Sequence, residues 1–168
     1  MPPLRGCLIG RFQPFHRGHY QLVENIVSDV DELVVSIGSA DASHSKRNPF
    51  TGGERVMMVQ KTLEQVETTT YVVPIEDIDR NSMWVSHVKS MAPRFDVAYS
   101  NNALVVRLFE EAGVEVHQTE MYNRGKLKGS EIRARMLDGE DWRPYVPDPV
   151  VEIIEEIDGV ERLDSVTE

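Results

Sequence analysis

A chain of 168 residues, 40% apolar and 27% charged, has the composition of a soluble globular protein and the length for a single domain over 1–168. Its formal net charge of −10 argues against a non-specific nucleic-acid binder, which needs an excess of Lys and Arg. No apolar run approaches a bilayer span, and residues 1–6 lack the long apolar core of a signal peptide. The expectation is a cytoplasmic protein that binds neither nucleic acid nor membrane. The lone Cys7, beside Leu8 and Ile9, reads as a packed small hydrophobe and leaves no internal disulfide or thiolate metal site. Acidic residues crowd the C-terminal third at Glu152, Glu155, Glu156, Asp158 and Glu161. A solvated helix face accounts for them, with a high-salt cytoplasm as a second account.

Leu8-Ile9 opens the first strand. Over 20–30, Leu22, Val23, Ile26, Val27 and Val30 recur at helical spacing. Leu33-Val34-Val35-Ser36-Ile37 is a second strand, nearly continuous in apolar character as a doubly covered parallel strand should be. Thr51 and Glu54 have capping-box spacing ahead of a helix carrying Val56, Met57, Val59, Leu63 and Val66, with the adjacent Met57 and Met58 both assigned to the core. Tyr71-Val72-Val73 is the third strand, followed by a polar loop and a helix over 83–91. Strands over 95–99 and 114–116 flank a helix over 103–112. From Ser130 onward the chain reads as helices, one through Met136 and one over 148–157, with Pro144, Pro147 and Pro149 breaking the chain between them. Strand and helix alternate with no repeat or low-complexity linker. The expected fold is therefore α/β: an open parallel sheet of about five strands, doubly wound, with a helical C-terminal part over about 130–168. Such sheets bind ligands beyond the carboxyl ends of their strands.

The segment richest in chemistry is Gly10-Arg11-Phe12-Gln13-Pro14-Phe15-His16-Arg17-Gly18-His19. It follows the first strand and opens the first helix, where backbone amides and the helix dipole favour anionic oxygens. It has neither the glycine spacing of a dinucleotide-binding loop nor the Gly-Lys-Ser/Thr of a P-loop. Instead it offers two imidazoles, a Gly18 read as clearance for a phosphate, and a Pro14 that fixes the bend. Two histidines near a turn can be surface polarity or part of a metal site. A metal site wants a third ligand, and His44, His87 and His117 show no ligand spacing. Placement after a strand, with Arg11 alongside, favours phosphate chemistry. Adenylyl transfer suits this equipment: the attacking phosphate is already ionised, so alignment and charge neutralisation replace general-base catalysis.

The same string resembles the HxGH signature of the nucleotidyltransferase superfamily, and in full it is similar to the archaeal-type nicotinamide-nucleotide adenylyltransferases. Residues 39–55, with His44-Ser45, Arg47-Asn48-Pro49-Phe50-Thr51 and Gly53-Glu54-Arg55, resemble that family's second phosphate-binding loop. Gly129-Ser130-Glu131-Ile132-Arg133 resembles its C-terminal Ser/Thr-x-x-Arg motif, departing from the Ser-Ser-Thr form of bacterial relatives. The resemblance covers essentially the whole chain. It implies a Rossmann-like nucleotidyltransferase fold that joins ATP to nicotinamide mononucleotide (NMN), giving NAD and pyrophosphate, with Mg2+ arriving on ATP. It implies His16 and His19 as transition-state donors, and Arg11 and Arg47 gripping one anion from two loops. Ser130 and Arg133 would clamp the β,γ-phosphates. Gly10, Phe12, Gln13, Pro14, Gly18, Ser39 and Ile132 would complete the substrate-binding set. A homo-oligomer, specifically a hexamer, is implied as well.

The loop Glu76-Asp77-Ile78-Asp79-Arg80-Asn81-Ser82-Met83-Trp84 follows the third strand. A Trp just inside a helix is more often core than ligand platform. The family, however, places nicotinamide against an aromatic ring at this point, so Trp84 is assigned to stack on the pyridinium. Asn81 and the backbone at Asp77 and Ile78 are assigned to the carboxamide. Ser100 and Asn101 fall to the adenosine end, although a helix N-cap accounts equally well for Asn101 or Asn102. Taken alone, Arg47 also fits a solvated loop cation and Arg133 an exposed helix position. Two other functions stay open: an adenylyl- or cytidylyltransferase for another phosphorylated acceptor such as phosphopantetheine, and a nucleotide- or NAD-sensing module without catalysis. An aliphatic acceptor has no use for Trp84, and a sensor has no use for a leaving-group clamp.

Overall fold

The computed structural model describes residues 1–119 and 127–166. Strands β1 (Arg5–Gly10), β2 (Glu32–Ile37), β3 (Thr69–Pro74), β4 (Val97–Ser100) and β5 (Glu115–Gln118) form one parallel sheet in the order β3-β2-β1-β4-β5. The helices are α1 (Arg17–Ile26), α2 (Gly52–Leu63), α3 (Trp84–Met91), α4 (Ala103–Glu111), α5 (Gly129–Leu137), α6 (Asp148–Glu156) and α7 (Gly159–Ser165).

Successive side chains of a strand face opposite sides, and both sides of this sheet are covered. Leu8, Leu33, Val35 and Ile37 pack into one core with Val23 of α1, Met58 of α2, Ile132 of α5, Ile154 of α6 and Leu163 of α7. Cys7, Ile9 and Val34 face the other core, closed by Val85 and Val88 of α3 and Phe109 of α4. This is why the β2 sequence runs apolar without alternation. The Cys7 thiol is fully buried, 3.3 Å from the Ser36 hydroxyl, and burial pushes it up to about 12. It is a packing residue and stays protonated at neutral pH.

The chain steps outward from β1 to β2 and β3, then returns to place β4 on the other flank of β1. The strand order therefore reverses between β1 and β4, and the crevice opened there at the carboxyl ends is the natural ligand site.

Several boundaries differ from the sequence reading. Helix α1 starts at Arg17, because His16 caps it, and ends at Ile26, so Val30 packs from the following loop. Pro149 lies in the first turn of α6 instead of before it, a position where a missing N–H costs nothing. The sequence pattern does not predict helix α7, whose seven residues are too few for a visible period. Met58 is fully buried, whereas Met57 is 45% exposed. Neighbouring helical residues are about 100° apart, so both cannot face one core. Glu152, Glu155, Glu156, Asp158 and Glu161 are all exposed, as a solvated face requires.

Met58→Ala should cost about 2–5 kcal/mol, the range for truncating a buried Met. Met57→Ala should stay within about 0.5 kcal/mol, as for most surface changes. Urea denaturation of the two variants checks the pair.

Candidate active site

The loop after β1 turns directly into α1, and the two histidines make that turn. His16 is the N-cap, and its Nδ1 accepts the Gly18 N–H at 3.1 Å. His19, three residues on, accepts the His16 backbone N–H on its own Nδ1 at 3.1 Å. The pair is a capping box built from imidazoles in place of a hydroxyl and a carboxylate. Their rings stack with centroids 3.7 Å apart, and Phe12 and Phe15 pack against the His19 ring. Burial drives the His16 pKa down to about 3. Burial and then the His16 ring hold His19 well below its usual range. Both rings are therefore neutral at pH 7. With each Nδ1 accepting, the ring proton sits on Nε2, leaving one N–H per ring as the donor for a ligand oxygen.

A second set of contacts ties this loop to the rest of the site. Gln13 is 4% exposed, and its side-chain amide brackets Phe50: Nε2 donates to Phe50 O and Phe50 N donates to Oε1, both at 3.0 Å. Its backbone carbonyl accepts Arg133 Nη1 at 2.7 Å. Gly129 makes that approach possible, since a Cβ there would lie 2.9 Å from Arg133 Nη1 and 3.2 Å from Gln13 O. Gly18 plays a comparable part: a Cβ would meet the His16 ring at 3.0 Å. The clearance read as space for a phosphate is taken by the imidazole, and the Gly18 amide is occupied by it too.

Two neighbouring cavities open at the carboxyl ends of the strands. The first, about 240 Å³, is lined by Gly10, Arg11, Phe12, Gln13, Pro14, His16, His19, Asn101, Ser130 and Arg133 among the expected residues. The second, about 350 Å³, is lined by Gly10, Arg11, Ser39, Asp77, Ile78, Asn81, Trp84, Ser100 and Asn101. Ile9, Gly10, Arg11 and Asn101 border both. The first lobe is polar and cationic and has the N-termini of α1 and α5 at its sides. The second is walled by Ile75, Leu104, Val105 and Leu108 as well as Trp84. Trp84, half-buried, is the first residue of α3 and sets its ring edge-on to Phe109, centroids 5.3 Å apart. Asn102 is the N-cap of α4, accepting Leu104 N at 2.9 Å and Val105 N at 3.2 Å, which leaves Asn101 to face both lobes.

Three expected site residues line neither lobe. Ile132 is fully buried in the core under α5. Gly18 is beneath His16. Arg47 is exposed on the loop after β2. It is near enough to Arg11 for the two charges to interact: the Arg11 pKa is lowered by burial first and then by Arg47. Arg11 Nη1 also donates to Asn48 Oδ1 at 3.1 Å. In the acceptor loop, the Asp77 N–H is already held by Asp41 Oδ1 at 2.9 Å, and Asp77 Oδ1 accepts the Ser39 hydroxyl at 3.0 Å. The Asp77 amide is thus unavailable for a carboxamide.

Lys128 and Thr119 line the first lobe without having been expected. Lys128 is the N-cap of α5, and its place just before the Gly129-Ser130 motif was the available signal. The buried Thr119 hydroxyl has no partner among the described residues, and nothing in the sequence around it marks it. Among the described residues no group of three or more His, Cys, Asp or Glu side chains is arranged to hold a metal ion.

Neutral buried imidazoles have a pH consequence. His16 titrates near 3 in the fold against an ordinary 6.5, so below pH 6.5 the unfolded chain binds the proton more readily. The stability that this group contributes is complete above about pH 6.5 and is lost as pH falls toward 3. Urea midpoints at pH 7 and pH 4.5 should show the drop. His16→Asn, which keeps an N-cap acceptor, should make it smaller.

The chain matches the cytidylyltransferase-like family over residues 7–135. It is 64% identical over 165 residues to the nicotinamide-nucleotide adenylyltransferase of Halorubrum lacusprofundi, covering 98% of this chain and 94% of that protein. It is 52% identical over 170 residues to that of Archaeoglobus fulgidus, covering 98% of each. A bifunctional NMN adenylyltransferase/ADP ribose pyrophosphatase from Francisella tularensis shares the fold, with a TM-score of 0.78 at 18% identity over 98% of this chain and 53% of that one. A parallel sheet with its crevice at the β1–β4 reversal, an imidazole-capped first helix and identity at this level over the whole length place the chain among the nicotinamide-nucleotide adenylyltransferases.

Proposed function

We propose that the chain transfers the adenylyl group of ATP to NMN, releasing pyrophosphate and forming NAD. The observation that carries this reading is the meeting of a cationic lobe and an aromatic lobe at Gly10, Arg11 and Asn101. Two substrates seated one in each lobe would have their phosphates converge there.

In this reading the ATP triphosphate lies in the first lobe, between the N-termini of α1 and α5. NMN lies in the second with its ring on Trp84 and its carboxamide toward Asn81 and Ile78. Ser39, Asp77 and Ser100 shape the wall between ring and phosphate, and Asn101 faces the adenosine. An oxygen of the NMN phosphate attacks the α-phosphorus while the bond from that phosphorus to the pyrophosphate oxygen breaks. No proton has to move. The Nε2–H groups of His16 and His19 act as preorganised neutral donors to phosphoryl oxygens. The cationic charge comes from Arg11 and Arg133, with Arg47 reaching in from the second loop and Ser130 adding a hydroxyl. Phe12, Gln13, Pro14, Gly18 and Ile132 support these groups by shaping the loop and helices that carry them. Mg2+ brought in by the triphosphate would supply further positive charge to its oxygens. The reading extends to one nucleotidyltransferase domain over 1–168, acting in the cytoplasm as a homo-hexamer. Among the described residues no helix is long and apolar enough to cross a membrane; light scattering of the purified chain reads the mass.

NAD formation from ATP and NMN, followed by a coupled dehydrogenase assay, is the primary test; no product across a panel of divalent metals overturns the reading. His19→Ala should lower kcat by roughly 10²–10³, the scale for losing one transition-state donor. Near-normal turnover in the folded variant would remove His19 from the mechanism. Trp84→Ala should raise the KM for NMN by roughly 5- to 30-fold, the equivalent of about 1–2 kcal/mol of cation–π contact, and leave that for ATP unchanged. If the Phe109 contact is the whole role of Trp84, the melting temperature falls instead and both KM values hold.

A further inference from the structure

Arg55 is the largest fully buried side chain of the described residues. A guanidinium carries five N–H groups, and here each meets a main-chain carbonyl. Nε donates to Thr51 O at 3.2 Å, Nη1 to Arg11 O at 2.8 Å and Gly38 O at 2.9 Å, and Nη2 to Ser39 O at 2.9 Å and Ala42 O at 3.2 Å. Those carbonyls belong to the loop after β1, the loop after β2 and the cap of α2. No carboxylate forms an ion pair with it among the described residues. Burial, then the charge of Arg11, lowers its pKa to about 10, so it remains a cation at neutral pH.

Burying an unpaired charge is an expensive way to hold two loops together. The places held explain it. Arg11 borders both lobes, and Gly38 and Ser39 border the second. Phe12, which follows the pinned Arg11 carbonyl, and Ser39, whose own carbonyl is pinned, have left-handed backbone at φ 55° and 49°, a conformation that surrounding structure has to enforce. We propose that Arg55 is the positioning residue of this site: it holds the two loops in one frame and so sets the spacing between the substrate lobes. The proposal rests on the adenylyl-transfer reading. Arg55 touches no substrate; it acts through Arg11 and Ser39, and it keeps its charge behind the phosphates without a carboxylate in direct contact.

The test compares Arg55→Lys and Arg55→Met, with kinetics normalised to folded protein and calorimetric binding of ATP alone and NMN alone. Lysine keeps the charge but has three donors, so at least two carbonyls lose their partner. For Arg55→Lys, each substrate alone should bind within about 3-fold of the parent while kcat falls roughly 10- to 100-fold, since a displacement near 1 Å costs on the order of 10² in rate. Arg55→Met should lose at least as much kcat and also weaken ATP, having lost the charge. A purely structural role predicts a lower melting temperature with unchanged kcat and KM per folded molecule, and that result for Arg55→Lys overturns the proposal. A lysine variant that does not fold overturns it equally, in favour of a role in folding alone. Failure of the parent chain to make NAD overturns the reaction reading instead, which keeps the two failures apart.

Discussion

Loops leaving the carboxyl edge of a parallel sheet have carbonyls that no neighbouring strand pairs, and those carbonyls have to find donors elsewhere. In this protein one guanidinium supplies them. Arg55 rises from the first turn of α2 and collects carbonyls from both loops that border the crevice. The left-handed conformations at Phe12 and Ser39 cost about 1–3 kcal/mol each. Five hydrogen bonds to a charged donor, each worth about 1.5–3 kcal/mol, are large enough to sustain them. Arg11, which borders both lobes, and Gly38 and Ser39, which border the second, are all held by this one contact set.

A second layer of ties comes from the far end of the chain. Glu54 closes the capping box of α2 on the Thr51 N–H at 2.8 Å. The same carboxylate takes a two-pronged bond from Arg162 of α7 at 2.7 and 2.8 Å. Burial pushes the Glu54 pKa up, but Arg162 and the Thr51 N–H outweigh it and hold the carboxyl below its usual range. Lys46 donates to the Leu163 and Asp164 carbonyls, and Arg17 to that of Pro144. Arg133 from α5 reaches Gln13, which brackets Phe50. The C-terminal helices thus brace both substrate loops from behind as well as filling one core.

The imidazole capping box shows how a folding contact can choose a chemical state. An N-cap needs an acceptor. By using Nδ1 of each histidine for that purpose, the helix start assigns the ring proton to Nε2 and disfavours protonation. The first lobe therefore has neutral directional donors at the helix end and takes its positive charge from Arg11, Lys128 and Arg133. Behind the lobe, burial and then Arg47 lower the Arg11 pKa, and burial and then Arg11 lower that of Arg55, while Asp77 acts on both in the opposite sense.

The alternating strand and helix pattern was enough to establish a doubly wound parallel sheet, because period and apolar continuity report directly on which faces are covered. The strand-to-helix placement of His16 and His19 pointed to the edge where such sheets bind, and a cavity that both line opens there. Local signals also gave the Thr51–Glu54 cap, which involves residues three apart. Other features depend on residues distant in sequence. The ties of Gln13 to Phe50, Arg133 to Gln13 and Arg162 to Glu54 span 37, 120 and 108 positions, and no local pattern encodes them. Arg55 shares a helical face with Met58, Val59 and Thr62, all buried, but the sequence placed it only within the motif over residues 39–55, and its five partners were not readable because they are carbonyls, which every residue has. The two-lobed crevice, the occupied Asp77 amide and the choice of Asn102 over Asn101 as the cap were likewise decided in three dimensions. Sequence specifies which groups exist and which local turns they favour; the tertiary structure decides which hydrogen-bonding groups are already taken and which are left for a ligand.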